Sequence, residues 1–293
     1  MSNILDHSIA PNSLNTYKKA LTAFNLFRSK YGPALKWPAS YDEISLFITY
    51  LYENGYSAST IRTYLSGIGY YHKLNNWYDP KELFIVKKLL EGCKRLRNKK
   101  DIREPITYTK LQSVCSVLSL VCYDSYESKL FQAAFILAYF GLFRVSELVF
   151  TSVSQSNRPL QCSDVSFVKK DSAVKITIRY SKTNQVGAPT IFCIPCEPDS
   201  KLCPVCALKI YCHIRPKSQG YLFVHSDGRP VTQTQFSGVL AKAVRMCGFE
   251  NHFRSHSFRI GRATQLALDG IPMDIIKRLG RWKSDASLLY IRY

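Results

Sequence analysis

The sequence predicts a mainly α protein with one small antiparallel β-sheet, divided into a helical domain and a mixed α+β domain. Three observations predict it. Residues 13–97 place their apolar side chains at helical spacing throughout. A basic stretch ending in proline then interrupts the pattern at 98–106. Beyond it, strand-like alternation at 165–168, 174–180 and 190–194 is set among helical runs. The expected organisation is a helical domain over 1–97, a basic linker over 98–106 and a mixed domain over 107–293.

In the first domain, Tyr17, Leu21, Phe24 and Phe27 recur along one helix face. Ser40-Tyr41-Asp42-Glu43 reads as a capping box ahead of Ile44, Phe47, Ile48 and Leu51. Ser59 is expected to cap the next helix, with Ile61, Tyr64, Leu65 and Ile68 inward and Thr60, Arg62, Thr63 and Lys73 outward. A fourth helix is expected over 81–96, with Val86, Leu89 and Leu90 inward. The linker region gathers Lys94, Arg95, Arg97, Lys99 and Lys100, a charge run that can track a phosphate backbone.

In the second domain, residues 130–143 form a long apolar run of helical length that must be buried. Lys169-Lys170-Asp171-Ser172 reads as the turn between the first two strands. A helix over 233–246 can end at Gly248. Ser255 can cap a helix running to Gly270, and Pro272 can open another that Gly280 closes.

Composition narrows the function. An apolar share of 46% with 21% charged residues describes a folded chain. Forty basic against 21 acidic residues leave a net charge of +19, which favours a polyanionic partner, nucleic acid above all. Residues 1–11 are polar and lack the apolar core of a secretory signal, and no apolar run is long enough to span a bilayer. The ten cysteines are therefore expected as thiols in a reducing compartment. Cys193-x-x-Cys196 and Cys203-x-x-Cys206 have the look of two zinc knuckles, with Cys212 and His213 nearby. However, Cys193 falls in a strand-like apolar run and Cys206 in a helical stretch. Buried thiols and no metal are the expectation.

The candidates for the chemistry are Arg144 far upstream and His256, Arg259, Trp282 and a late tyrosine, Tyr290 or Tyr293, near the end. A phosphodiester under attack accumulates negative charge on its non-bridging oxygens. Guanidiniums stay charged and grip such oxyanions bidentately. A tyrosine can then hold the phosphate covalently and preserve the ester's energy. His256 and Arg259 stand three apart and share a helix face, which Arg262 continues.

This order of elements resembles the tyrosine recombinase/integrase family over nearly the whole chain. The resemblance implies a helical SAM-like core-binding domain, a basic linker and an α+β tyrosine-recombinase catalytic domain. Arg144, within Gly141-Leu142-Phe143-Arg144-Val145-Ser146-Glu147-Leu148, matches the family's first arginine, and Glu147 its acidic companion. Lys182, in Ser181-Lys182-Thr183, matches the hairpin lysine. His256 and Arg259 match the His-x-x-Arg box, and Trp282 takes the His/Trp position. Leu202-Cys203-Pro204-Val205, the run from His256 to Gly261, Gly280-Arg281-Trp282-Lys283-Ser284 and Tyr290-Ile291-Arg292 are most similar to eukaryotic mobile-element recombinases of the DIRS, Ngaro and Crypton type. Tyr290 stands eight residues after Trp282 and Tyr293 eleven, and the family's usual spacing falls between them. Tyr290 is favoured because Tyr-Ile-Arg matches the nucleophile helix, with Tyr293 as the alternative.

The implied function is a site-specific recombinase or integrase, working for integration or excision of a mobile element. It cleaves and rejoins DNA through a 3′-phosphotyrosyl link, without metal or nucleotide cofactor. Arg62, Lys94, Arg95, Arg97, Lys99 and Lys100 are expected on DNA. Partners would be double-stranded DNA and further copies of the chain, as a homodimer on DNA and a homotetramer in the synapse, with no membrane. Many relatives continue past the nucleophile into a helix that docks on a neighbouring subunit. Here the sequence stops at Tyr293, so either a shortened chain or a different way of assembling is expected. The expected location is the nucleus in a eukaryotic source, otherwise the cytoplasm with the nucleoid. Two alternatives are a type IB topoisomerase-like enzyme and a domesticated DNA-binding protein that no longer cuts.

Overall fold

A computed structural model describes residues 5, 8–31, 36–97, 101–152, 158–180, 189–197, 200–250 and 252–292. Of the expected functional residues, Lys99, Lys100, Lys182 and Tyr293 lie outside the described residues. The chain divides into two compact units, Met1–Asp101 and Ile102–Tyr293.

The first unit is built from α1 (Pro11–Tyr31), α2 (Tyr41–Glu53), α3 (Ala58–Leu74) and α4 (Phe84–Leu96). Its core joins Phe24, Phe27, Ile44, Phe47, Ile48, Ile61, Leu65, Ile68, Val86 and Leu90, the apolar faces that periodicity marks out. The capping box at α2 is present in full: the Ser40 side chain accepts from the Glu43 amide, and the Glu43 carboxylate accepts from the Ser40 amide at 2.8 Å. At α3 the cap is Ser57, not Ser59. Ser57 has extended backbone, and its Oγ accepts from the Thr60 amide at 3.2 Å, whereas Ser59 already sits in the first turn. The fourth helix starts at Phe84 rather than 81, because Asp79 caps a separate 3-10 turn over Pro80–Glu82 and Leu83 is extended. Arg62, Lys94 and Arg95 are exposed, while Arg97 packs 4.0 Å from the Tyr52 ring centre.

The second unit comprises α5 (Tyr108–Ser116), α6 (Leu118–Val121), α7 (Ser125–Phe140), α8 (Val145–Leu148), β1 (Val165–Phe167), β2 (Ala173–Ile178), β3 (Thr190–Pro195), α9 (Pro204–Ile214), α10 (Gln233–Met246), α11 (His256–Leu268) and α12 (Met273–Gly280). The apolar run expected to be buried is α7 and the turn after it. From Leu130 onward nearly every residue of α7 is enclosed, since α9 and α11 pack on it. The Phe135, Phe236 and Phe258 rings, 4.9–5.9 Å apart between centres, lock α7, α10 and α11 together. Each such pair adds about 0.5–1.5 kcal/mol beyond simple burial.

The sheet is antiparallel in the order β1-β2-β3, with Val165 opposite Ile176 and Ile176 opposite Phe192. Val174, Ile176 and Ile178 face the core, as strand alternation requires. Lys170 and Asp171 take left-handed backbone, φ 58° and 55°, in the tight turn between β1 and β2.

Residues 102–106 differ from the expected linker. They belong to the second unit and strap across α11. The Glu104 amide donates to the His252 carbonyl at 3.3 Å, and the Ile106 amide to that of Ser257 at 3.0 Å. Gly261 permits this crossing, since a Cβ there would fall 1.7 Å from the Ile106 carbonyl oxygen.

Candidate active site

The site is assembled where helices end. After α7 the chain turns through Gly141 and Leu142, the latter at φ 49°. That turn delivers Arg144 to the N-cap position of α8, leaving exposed carbonyls at the C-terminus of α7. Arg259, fully buried on α11, donates to the Leu142 carbonyl and, at 2.9 Å, to the Gly280 carbonyl at the end of α12. Arg281 donates to Gly141 O at 3.1 Å and to Leu142 O at 2.9 Å. Two guanidiniums thus occupy the negative ends of two helix dipoles.

Glu147 ties this cluster together. Arg144 Nη1 donates to its Oε1 at 3.0 Å, Arg281 Nη2 to its Oε2 at 3.0 Å, and the Arg144 amide to Oε2 at 2.9 Å. Burial opposes ionisation of Glu147, but Arg281, Arg144 and Arg259 together hold its carboxyl below the ordinary glutamate value. Burial pushes the Arg259 guanidinium down to about 9; the Arg144 and Arg281 charges add to this, and Glu147 opposes it. Arg259 therefore stays charged at neutral pH. Three guanidiniums face one carboxylate, leaving this largely desolvated cluster with an excess of two positive charges among the described residues. That is the electrostatic form of an anion site.

Trp282 and Tyr290 close it. The Arg259 guanidinium carbon lies 4.7 Å from the Trp282 ring centre and 5.4 Å from that of Tyr290. The Trp282 and Tyr290 rings stand 4.9 Å apart. The Tyr290 hydroxyl lies 3.5 Å from His256 Nδ1. Trp282 Nε1 and Arg259 Nε are buried with no hydrogen-bond partner among the described residues, so each is a buried donor whose hydrogen bond is unmade.

Local sequence accounts for these placements. Gly280 does not close α12 as its left-handed cap. It stays helical, and Arg281 takes the left-handed position at φ 57°. Gly280 meets a different need: a Cβ on residue 280 would lie 1.8 Å from the Trp282 ring. Glycine is thus required beneath the indole, and the left-handed turn swings Arg281 toward Glu147. Ser255 sits at the start of α11 with helical backbone and makes no capping bond there; Ser257 Oγ instead takes the Arg254 amide at 3.0 Å. Tyr290 ends a 3-10 turn over Asp285–Tyr290, not an α-helix. Thr264 Oγ1 donates to the Tyr290 carbonyl at 3.3 Å and accepts from the Arg292 amide at 3.0 Å. Arg292 in turn donates to the Arg103 carbonyl at 2.7 Å.

The structure thus brings together Arg144, Glu147, His256, Arg259, Trp282 and Tyr290. Arg262, expected on the same face, instead lies 5.0 Å from the Phe140 ring centre and 5.6 Å from that of Tyr139. Three residues of the site were not anticipated: Arg281, Thr264 and Arg292. Arg281 had a signal in its place between Gly280 and Trp282. Thr264 and Arg292 act through contacts that sequence spacing does not reveal.

The family described as the phage integrase family matches residues 114–293, and the phage integrase N-terminal SAM-like domain matches residues 4–77. An integrase/recombinase xerD homolog from Selenomonas ruminantium is 26% identical over 297 residues, covering 96% of this chain and 81% of that protein. Two solved structures share the fold. One is a Tn1549 transposon integrase in complex with transposon right end DNA, with TM-score 0.68, 14% identity and coverage of 100% of this chain and 93% of that one. The other is the XerH site-specific recombinase bound to palindromic difH substrate, with TM-score 0.66, 17% identity and coverage of 94% and 75%.

Proposed function

Since this chain belongs to the phage integrase family of tyrosine recombinases, we propose that its chemistry is carried by Tyr290 as nucleophile. Tyr290 Oη attacks the scissile phosphorus, forming a 3′-phosphotyrosyl bond as the bond to the 5′-oxygen breaks. His256 takes the tyrosine proton. Arg144 and Arg259 bind the non-bridging oxygens as their charge grows, and the free indole N–H of Trp282 adds a donor. Glu147 orients Arg144, and Arg281 acts through Glu147 as a positioning residue. Lys182, outside the described residues, protonates the departing 5′-oxygen. A 5′-hydroxyl of a second strand then attacks the phosphotyrosine, reseals the backbone and returns the proton to Tyr290.

The observation that carries this reading is the Tyr290 hydroxyl 3.5 Å from His256 Nδ1, with its ring beside the buried Arg259. The test is Tyr290→Phe on nicked duplexes that trap cleavage. DNA binding should persist while covalent adducts vanish. Adducts that survive Tyr290→Phe but disappear in Tyr293→Phe would transfer the role to Tyr293.

The biological setting proposed is integration or excision of a mobile element. Its support is the transposon-end DNA named for one structural relative and the likeness of the quoted motifs to DIRS, Ngaro and Crypton recombinases. A homodimer on DNA and a homotetramer in the synapse, and a nuclear location in a eukaryotic source, complete the reading. The match to a SAM-like domain over residues 4–77 favours a recombinase over a type IB topoisomerase. Joining of two DNA sites in one complex tests that choice.

A further inference from the structure

The second unit gathers three cysteines that the recombination chemistry does not use. Cys196 directly follows β3, and its amide donates to the Ser172 carbonyl at 2.8 Å. Cys203 is the N-cap of α9, and Cys206 stands in the first turn of that helix. The sulfur atoms of Cys196, Cys203 and Cys206 all lie within 4.8 Å of one another, with Cys196 and Cys203 at 3.5 Å. Two amides, those of Glu197 at 3.3 Å and Cys206 at 3.5 Å, donate to Cys203 Sγ. Amides aimed at one sulfur at a helix N-terminus favour its thiolate.

We propose that Cys196, Cys203 and Cys206 bind a zinc ion that ties the end of β3 to the start of α9. Thiolates select zinc among common divalent cations. At a Zn–S distance of ~2.3 Å, tetrahedral geometry sets ligand sulfurs ~3.8 Å apart, inside the observed range. Three thiolates this close repel one another, and a divalent cation relieves that repulsion. Cys206 is exposed, so ion and solvent can reach the site, and water completes the tetrahedron. Cys193 takes no part because it points out from the exposed face of β3. The expectation of buried thiols is corrected here: Cys193 and Cys206 are exposed and Cys196 is half-buried, three of the four converge, and the pairing into two knuckles does not form. Zinc would brace the strand that returns from the Lys182 connection against a helix packed on the unit's central α7.

The test uses the full chain, purified under reducing conditions with added zinc and then freed of excess metal. Elemental analysis should find one zinc per chain. Cobalt(II) in its place should give the thiolate-to-cobalt charge-transfer absorption. Because Cys206 is exposed, Cys206→Ser should fold normally by circular dichroism yet bind metal more weakly, by at least the ~10–100-fold that removing a group hydrogen-bonded to a ligand costs. Cys193→Ser and Cys212→Ser should bind as wild type. In the unmutated chain a chelator should lower Tm, and zinc should restore it. Zinc-free protein lacking the cobalt absorption, a Cys196–Cys203 disulfide in its place, or binding that Cys206→Ser leaves unchanged would each overturn the site.

Discussion

Arg259 is held by carbonyls as well as by charge. Its Nη atoms are committed to Leu142 and Gly280, while its Nε is buried with no partner among the described residues. Lysine cannot keep that geometry, because a single ammonium cannot bridge two helix ends and still face an oxyanion. Arg259→Lys should therefore lower single-turnover cleavage by roughly 10²–10³, with much less change in DNA affinity. Quench-flow on a trapping substrate, beside a binding titration, checks the split. Glu147 gives a second prediction. Its folded pKa lies below the ordinary value of 4.5, so its stabilisation is complete above about pH 4.5 and is lost as pH falls through the folded value. Glu147→Gln should cost about 3–5 kcal/mol at neutral pH, because it strands buried guanidiniums. The Tm gap to wild type should shrink in acid. A gap independent of pH would remove Glu147 from the charge cluster.

At the level of elements, the end of α12 is the most constrained junction. Gly280 lies against the Trp282 ring, and any Cβ must displace that indole. Gly280→Ala should cost about 1–3 kcal/mol by overpacking and should lower cleavage further by moving Trp282 off Arg259. Gly92, inside α4, has open space where its Cβ would go. Gly92→Ala should instead raise stability by about 0.5–1 kcal/mol. Thermal melts of both variants check the contrast. The capping box at Ser40 and the periodic faces of α1–α4 were legible in sequence because both are local. The helix start at Ser57 and the 3-10 turn before α4 were not, because neighbouring serines and a proline offered competing starts that only backbone geometry resolves.

For the whole molecule, the +19 charge and the family assignment imply that DNA affinity depends steeply on salt. Lys94 and Arg95 are exposed on α4, whereas Arg97 is stacked on Tyr52. Replacing Lys94 and Arg95 with glutamine should make the log–log salt slope shallower by about 0.9 for each phosphate no longer neutralised. Cleavage at saturating DNA should not change. Arg97→Gln should affect the slope less and stability more, by about 0.5–1 kcal/mol. Fluorescence anisotropy across a salt series distinguishes these residues; an unchanged slope in the double variant would mean that α4 faces away from DNA.

The sequence alone determined the helical first domain, the small sheet, the tyrosine recombinase family and the positive charge that suits a polyanionic partner. Helical and strand periods, caps and net charge are local or additive properties, and the family motifs preserve their order along the chain. Only the tertiary structure decided that residues 102–106 strap onto α11, since the carbonyl contact at Gly261 joins segments far apart in sequence. It alone placed Arg281 on Glu147, because the left-handed turn at Arg281 and the buried carboxylate of Glu147 meet from segments far apart in the chain. It alone drew Cys196 to Cys203 and Cys206 while leaving Cys193 outside, because Cys193 stands on the exposed face of β3 whereas Cys196 lies past the strand's end beside the N-terminus of α9.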